Sequence, residues 1–557
     1  MTGVTGVQSE TTATIGEAGR AVRRLVVFTL LFVTVTIAAI GLSGLVGRTL
    51  DVADQLASDD VGALAQALAF TLVSGPIAAV LWFFIWRGLA DRRERQSIAW
   101  GLYLAVMSTV AIITASTSLL LTVASLVGGV WQPQTFASGT VWAGVWAWHR
   151  WMRRHPLKGA TMLTGVAPVI AYVYGIIIGA GGAVTCLGTL FDVAILGGAG
   201  TATIGDPWWQ LSLEGLVWAV GGGAIWWWHW AHGGARMLRD GLAAVAIVLV
   251  AGLGAVLLTL SGMGAALFAL LRLAFDRDGA PASEVLDPLG TSVAAAAVGA
   301  VIWAYYRRVA AAGTESVRLG TGLVTSGIGL IAAASGIGVV VNSLLAAAGT
   351  PLAESGTRTL LLGGVSALVV GAPVWWLSWK PATPVAPDSV GSTARRVYLI
   401  AIFGVSAVVA LITLLVIGFR VFEFALDSVT TASLLDRVRA PLGLLASTLL
   451  VAGYHFAVWT RDRAAAPAAT QRRTIGRITL VGAADAGLLA DAVREATGAP
   501  VVVWHRAVPS HTGPDVGSAA GGPSAAQLAH ALDGVAGARV LIITGPGGRI
   551  EVIPLEN

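Results

Sequence analysis

The sequence predicts an all-α polytopic membrane protein: about twelve transmembrane helices in six repeated helix pairs, followed by a small C-terminal α/β domain of order βαβαββ. Three observations carry this. The 557 residues are 56% hydrophobic and 12% charged, with mean hydropathy +0.78, against about 25% charged in soluble domains. Apolar runs of about 20 residues, enough to span a bilayer, recur along the chain. A tryptophan-rich cluster closes every second run, and the same grammar then begins again.

In order, the chain starts with residues 1–19, rich in Thr, Gly, Val and Ser and read as disordered. The spans are placed at 25–47 and 63–86, 98–127 and 135–151, 160–189 and 210–230, 241–273 and 290–307, 319–347 and 359–379, 397–425 and 441–460. The corresponding pair repeats are 20–96, 97–157, 158–237, 238–314, 315–390 and 391–463. The first run follows Arg23 and Arg24 but belongs to the repeat, so it reads as a retained helix and not a cleaved signal. Pro76, Pro168 and Pro373 fall inside spans, where neighbouring helices can shield the freed backbone groups. The single Cys186 sits in an apolar run, which leaves no disulfide framework and no thiolate metal site.

The closing clusters are "LWFFIWRGLADRR" from Leu81, "VWAWHRWMRRH" from Val145, "IWWWHWAHGG" from Ile225, "IWAYYRRVA" from Ile302, "VWWLSWKPA" from Val374 and "GYHFAVWTRDR" from Gly453. An apolar residue precedes Trp82, Trp146, Trp226, Trp303 and Trp375, and four residues later come Trp86, Arg150, Trp230, Arg307 and Trp379. In the sixth cluster Trp459 follows His455 at that spacing. Trp prefers bilayer interfaces because its ring is apolar while its N–H wants a partner. The clusters therefore read as an aromatic belt of interface anchors, with contacts for a lipid or ligand at His149, His229 and His455 as the sharper reading. A metal would need those three rings to converge.

Basic residues orient the spans. Twenty-four Arg and Lys, from Arg20 to Arg477, fall on the side carrying the N-terminus and the clusters; seven (Arg48, Arg272, Arg277, Arg358, Arg420, Arg437 and Arg439) fall opposite. Both termini are expected in the cytoplasm of a bacterium, with the spans in its inner membrane. The pI near 9.7 is then a topology signal aided by anionic lipids, and nucleic acid is not needed to explain it.

These repeats resemble a bacterial membrane family, a domain of unknown function built from helix pairs closing on a Trp/His-Trp pattern. "WWWHW" and "WAWHRW" carry the resemblance, which covers about residues 17–463; Ile85, Tyr306 and Ser378 replace the His in other copies. The resemblance implies the repeated helical fold and brings no activity or catalytic residue.

No ionisable residue falls at a predicted midplane, where transporters usually carry one. Arg420 and Glu423 can pair near an outer end, and Asn342 is explained by an interhelical hydrogen bond as well as by a pore. The stretches "GIIIGAGG", "GGGA" and "GTGLVTSGIGLIAAASGIG" suit close helix packing better than gating. The outer loops, including "FDRDGAPASEVLD" with Asp276, lack calcium-loop spacing and read as solvated.

After a linker at 464–475, residues 476–557 read as a cytoplasmic α/β domain: strand "GRITLVG", helix "DAGLLADAVREATG", strand "PVVVWHRA", helix "SAAQLAHALDG", and a hairpin from "ARVLIIT" to "RIEVIPL". "GAADAG" lacks nucleotide-binding glycine spacing, and His505, His511 and His530 lack ligand spacing. No cofactor is implied. The preferred function is a non-enzymatic membrane scaffold or sensor, embedded in lipid, whose tail binds a cytoplasmic protein. The alternative is a transporter or channel for a small or lipophilic substrate; a membrane enzyme ranks third.

Overall fold

The computed structural model describes residues 5–51, 61–197, 207–238, 241–277, 279–349, 355–379, 390–426, 433–465, 476–482, 486–497, 499–505, 527, 530–532, 535, 539–544 and 550–555. It divides into two compact units, Met1–Phe456 and Ala457–Asn557.

The first unit is helical. Its helices are α1 (Thr5–Leu50), α2 (Val61–Gly88), the single turn α3 (Arg92–Arg95), α4 (Ile98–Val127), α5 (Pro133–Arg154), α6 (Val166–Leu196) and α7 (Trp208–Trp227). There follow α8 (Gly241–Val248), continued through a π-turn at Leu249–Gly254 into α9 (Ala255–Phe275), the short α10 (Ala282–Leu286), α11 (Leu289–Ala311), α12 (Glu315–Gly349), α13 (Ser355–Trp379), α14 (Val390–Leu426) and α15 (Leu434–Ala465). Among the described residues ten helices are long and apolar enough to cross a membrane. The expected spans 135–151 and 210–230 form α5 and α7, which fall outside that set because Trp, Gly and polar side chains dilute their hydropathy.

Helix ends follow local chemistry. Asp91 caps α3 by accepting from Arg93 N–H (2.9 Å), and Ser97 caps α4 by accepting from Trp100 N–H (3.2 Å). Helices α2 and α13 run through Pro76 and Pro373, whereas Pro168 lies in the first turn of α6, where its missing N–H costs little. One expectation changes here. Helix α1 begins at Thr5, inside the segment read as disordered. Propagation from an already formed helix adds a hydrogen bond per residue without a new nucleus, so weak local propensity is overridden.

The packing repeats every four helices. Helix α1 touches α2, α4 and α5; α6 touches α7, α8 and α11; α12 touches α13 and α14, and meets α15 where Gly338 lies against Gly443. The first helix of each set thus lies between the other three. Glycines allow the closest crossings: a methyl on Gly175 would meet Trp226 N at 2.6 Å, and one on Gly336 would meet Leu368 N at 2.5 Å. The glycine-rich stretches are backbone-to-backbone seams, as small residues provide in membranes.

The second unit carries a four-stranded sheet of β1 (Arg477–Gly482), β2 (Val501–His505), β3 (Arg539–Thr544) and β4 (Ile550–Leu555), in the order β2-β1-β3-β4. Strand β1 pairs parallel with β2 (Ile478 opposite Val501) and with β3 (Ile478 opposite Val540); β3 and β4 pair antiparallel. Helix α16 (Ala486–Thr497) supplies Ala490 and Val493 to a core with Ile478, Leu480, Val540 and Ile542. Most of the expected second helix, the turn of the expected hairpin and His511 lie outside the described residues.

Candidate functional site

Each four-helix set gathers its clusters into an aromatic box. The geometry follows from antiparallel pairing: the start of one helix meets the end of its neighbours, so the Trp-rich ends gather with Tyr103, Tyr172 and Tyr398 near the starts of α4, α6 and α14 and with Tyr305, Tyr306 and Tyr454 near the ends of α11 and α15.

In the first box Trp82 of α2 contacts Trp100 and Tyr103 of α4 and His149 of α5, with ring centroids 5.9–6.4 Å apart. Phe28 of α1 stacks on Tyr103 at 5.8 Å. His149 is 2% exposed. Its Nδ1 lies 2.7 Å from Val145 O, which can only accept, so Nδ1 carries the proton; Nε2 is then the acceptor for the Tyr103 hydroxyl at 2.9 Å.

The second box joins α6, α7 and α11. Trp226 Nε1 donates to Tyr306 Oη and Trp230 Nε1 to Tyr305 Oη, both at 2.8 Å. Tyr172 packs edge-on to Trp230 at 5.0 Å. The third box joins α13, α14 and α15. Trp379 Nε1 donates to Tyr454 Oη at 2.8 Å, Trp375 packs on Tyr454 at 5.4 Å, and Tyr398 lies 6.0 Å from His455.

The expected residues take distinct places. Trp82, Trp86, Trp226, Trp230, Trp375 and Trp379 are the box walls, and His149 and His455 are interior. Trp146 and His229 lie instead between the first and second boxes, rings 6.4 Å apart. His229 is 4% exposed and its Nδ1 donates to Ile225 O at 2.9 Å. Trp303 packs against the apolar cluster of Val256, Leu260, Ile328 and Val370, with the Arg307 guanidinium over its ring at 5.0 Å. Trp459 carries Arg463 over its ring at 5.5 Å. Among the described residues no group of three or more His, Cys, Asp or Glu could hold a metal ion.

Two features go beyond the sequence reading. First, each cluster has two faces: Trp227 and Trp228 are exposed, but His229 and Trp230, on the next part of the helical turn, are buried. The same periodicity exposes Trp376 and buries Trp379. Second, His455 is in register with His149 and His229, since all three donate from Nδ1 to the carbonyl four residues back. The position of the leading Trp is therefore Ala452, and Trp459 lies beyond the motif. The tyrosines were missed. Their signal is scarcity: the chain has 7 Tyr, and Tyr103, Tyr172, Tyr305, Tyr306, Tyr398 and Tyr454 all enter boxes.

Basic anchors lie on the rings. Arg150 bridges Trp146 (5.5 Å) and Trp228 (5.1 Å), Lys158 Nζ lies 3.7 Å over Trp86, and Arg395 lies 5.1 Å over Trp379. Each such contact is worth about 0.5–1 kcal/mol where exposed. Where α14 ends and α15 begins, Arg420 and Arg437 both reach Glu423, at 3.3 and 3.4 Å, tying α14 to α15. Asp276 is not solvated as expected but 2% exposed: Thr359 donates to it and Arg358 lies 3.9 Å away. Asn342 Oδ1 is buried without a partner, so its side-chain oxygen makes no interhelical bond.

The four-helix period has a counterpart among known sequences. A family described as a domain of unknown function (DUF5671) matches residues 24–148, 166–297 and 321–454, one match for each four-helix set. No curated protein and no solved structure matches the chain. The match covers more than half of the sequence in three successive copies: the chain belongs to the DUF5671 family, as a multi-pass membrane protein of three repeats.

Proposed function

We propose that the chain is a non-enzymatic scaffold or sensor of the bacterial inner membrane. It crosses twelve times, keeps both termini in the cytoplasm and recruits a cytoplasmic protein through its C-terminal domain. One observation carries the reading: in each aromatic box a hydrogen bond between side chains ties one helix to its neighbour, although Tyr172 Oη, Trp375 Nε1 and His455 Nε2 make none. His149 bonds Tyr103, Trp230 bonds Tyr305, and Trp379 bonds Tyr454. Such bonds hold helices in place, and they occupy His149 Nε2 and the Trp230 and Trp379 indole N–H groups. Twelve crossings are supported by the three family copies, each holding four helices, because α5 and α7 must cross for the copies to share one orientation. The side is supported by the 24 to 7 division of basic residues. The recruiting role is supported by a tail with its own buried core.

The test is a cross-linking pull-down from native membranes with the full chain and with a chain ending at residue 463. The reading expects a cytoplasmic protein enriched by the full chain alone. It is overturned if both forms recover the same proteins, or if the reconstituted chain instead moves a solute across vesicles, the transporter alternative.

A further inference from the structure

Where the second family copy meets the third, α9, α12 and α13 leave a cleft of about 570 Å3, lined by Phe268, Arg272, Val339, Thr359, Leu360 and Gly363 and open on one side. Its chemistry is uneven. Phe268, Val339 and Leu360 form an apolar wall. Gly363 contributes no side chain: a methyl there would meet only the Phe268 ring, at 3.7 Å, so this part of the lining is open space that a larger side chain would fill.

Arg272 lies at the edge of the wall, in the last turn of α9 and so at headgroup depth. Its guanidinium leans over the Phe268 ring at 5.9 Å, and its Nε is buried without a hydrogen-bond partner. Asp276 is one helical turn further on, but it is engaged by Arg358 and Thr359. Among the described residues no carboxylate pairs with Arg272. Arg272 thus sets a cation beside the apolar wall with its Nε turned to no acceptor. Leaving a buried N–H without an acceptor is costly, and a group that accepts hydrogen bonds, carries negative charge and brings apolar surface would complete the site.

We propose that this cleft binds an anionic phospholipid, with its phosphodiester on Arg272 and an acyl chain along Phe268, Val339 and Leu360. A free anion would satisfy Arg272 but leave the wall exposed. A zwitterionic lipid would bring its own cation to the arginine.

The test uses the full chain in nanodiscs of phosphatidylcholine, with and without an equal part of phosphatidylglycerol. Melting temperature and the lipid retained on native mass spectrometry are read for wild type, Arg272→Gln, Arg272→Lys and Gly363→Leu. Wild type is expected to melt higher with phosphatidylglycerol and to retain it. Arg272→Gln should reduce that preference roughly fivefold, the scale of one basic residue's attraction to an anionic membrane, and Arg272→Lys should restore part of it. Gly363→Leu should abolish retention while melting as wild type in phosphatidylcholine; if it melts lower there, the two Arg272 variants decide. Undiminished preference in Arg272→Gln overturns the proposal, as does equal protection of wild type by inorganic phosphate.

Discussion

Replacing Tyr103 by Phe removes one oxygen from the first aromatic box, and the third box supplies its control. Tyr103 Oη is the partner of His149 Nε2, at 2.9 Å, inside a cluster where His149 is 2% exposed. The Phe variant keeps the ring contacts with Trp82, Trp100 and Phe28, so packing is unchanged and the loss is the orphaned Nε2. Leaving a buried acceptor unsatisfied costs about 1–3 kcal/mol. In the third box Tyr398 faces Ser326 instead, at 3.2 Å, and His455 Nε2 already lacks a partner. Tyr398→Phe therefore creates no new orphan on the histidine, and the Ser326 hydroxyl can turn to a carbonyl one helical turn back. Its cost should stay near 0.5–1 kcal/mol, that of one neutral hydrogen bond. Thermal unfolding in a single detergent, followed by tryptophan fluorescence, should lower the apparent Tm more for Tyr103→Phe than for Tyr398→Phe. A cycle with His149→Leu should show coupling of about 0.5–3 kcal/mol. Equal shifts, a reversed order or zero coupling would refute the box as a hydrogen-bonded lock.

Gly222→Ala places a methyl 2.5 Å from Gly179 Cα and should lower Tm and yield, whereas Gly223→Ala, with nothing within 4 Å, should gain about 0.5–1 kcal/mol from helix propensity; yield and Tm in detergent read both. His229→Ala removes a ring buried between the first two boxes and should cost roughly 2–4 kcal/mol, while Trp227→Ala, 52% exposed, should stay within about 0.5 kcal/mol in detergent; matched melting curves decide. A chain of residues 474–557 should be soluble and unfold cooperatively in urea, and Ile542→Ala within it should cost about 2–5 kcal/mol because that side chain is fully buried.

The helices were legible because their signal is local: apolar runs bounded by Arg, Asp and Gly. The period of four helices was not, because adjacent pairs share the same closing motif and only the contacts of α1, α6 and α12 with their neighbours distinguish first pair from second. The Trp clusters were legible as clusters. Their two faces were not, since burial alternates with the helical turn, and Trp227 and Trp230 differ only in position around it. The tyrosines that bind them lie about 75–80 residues away in sequence, beyond any local pattern. His455 was misaligned by matching Trp459 to Trp230, when the carbonyl four residues back is what fixes register. Asp276 looked solvated because its neighbours in sequence are charged, while its partners Arg358 and Thr359 come from another repeat.

The central claim is that three four-helix copies cross the membrane in one orientation, which depends on the two helices with the weakest hydropathy, α5 and α7. The single cysteine makes this accessible: a Cys186→Ser background can carry one new cysteine at Trp131 or Lys158, flanking α5, or at Pro207 or Arg236, flanking α7. Labelling intact cells with a membrane-impermeant maleimide should modify the cysteines at 131 and 207 and spare those at 158 and 236 until the cells are opened. Equal labelling across either helix would show that it does not cross, and would contradict the threefold repeat as a membrane topology.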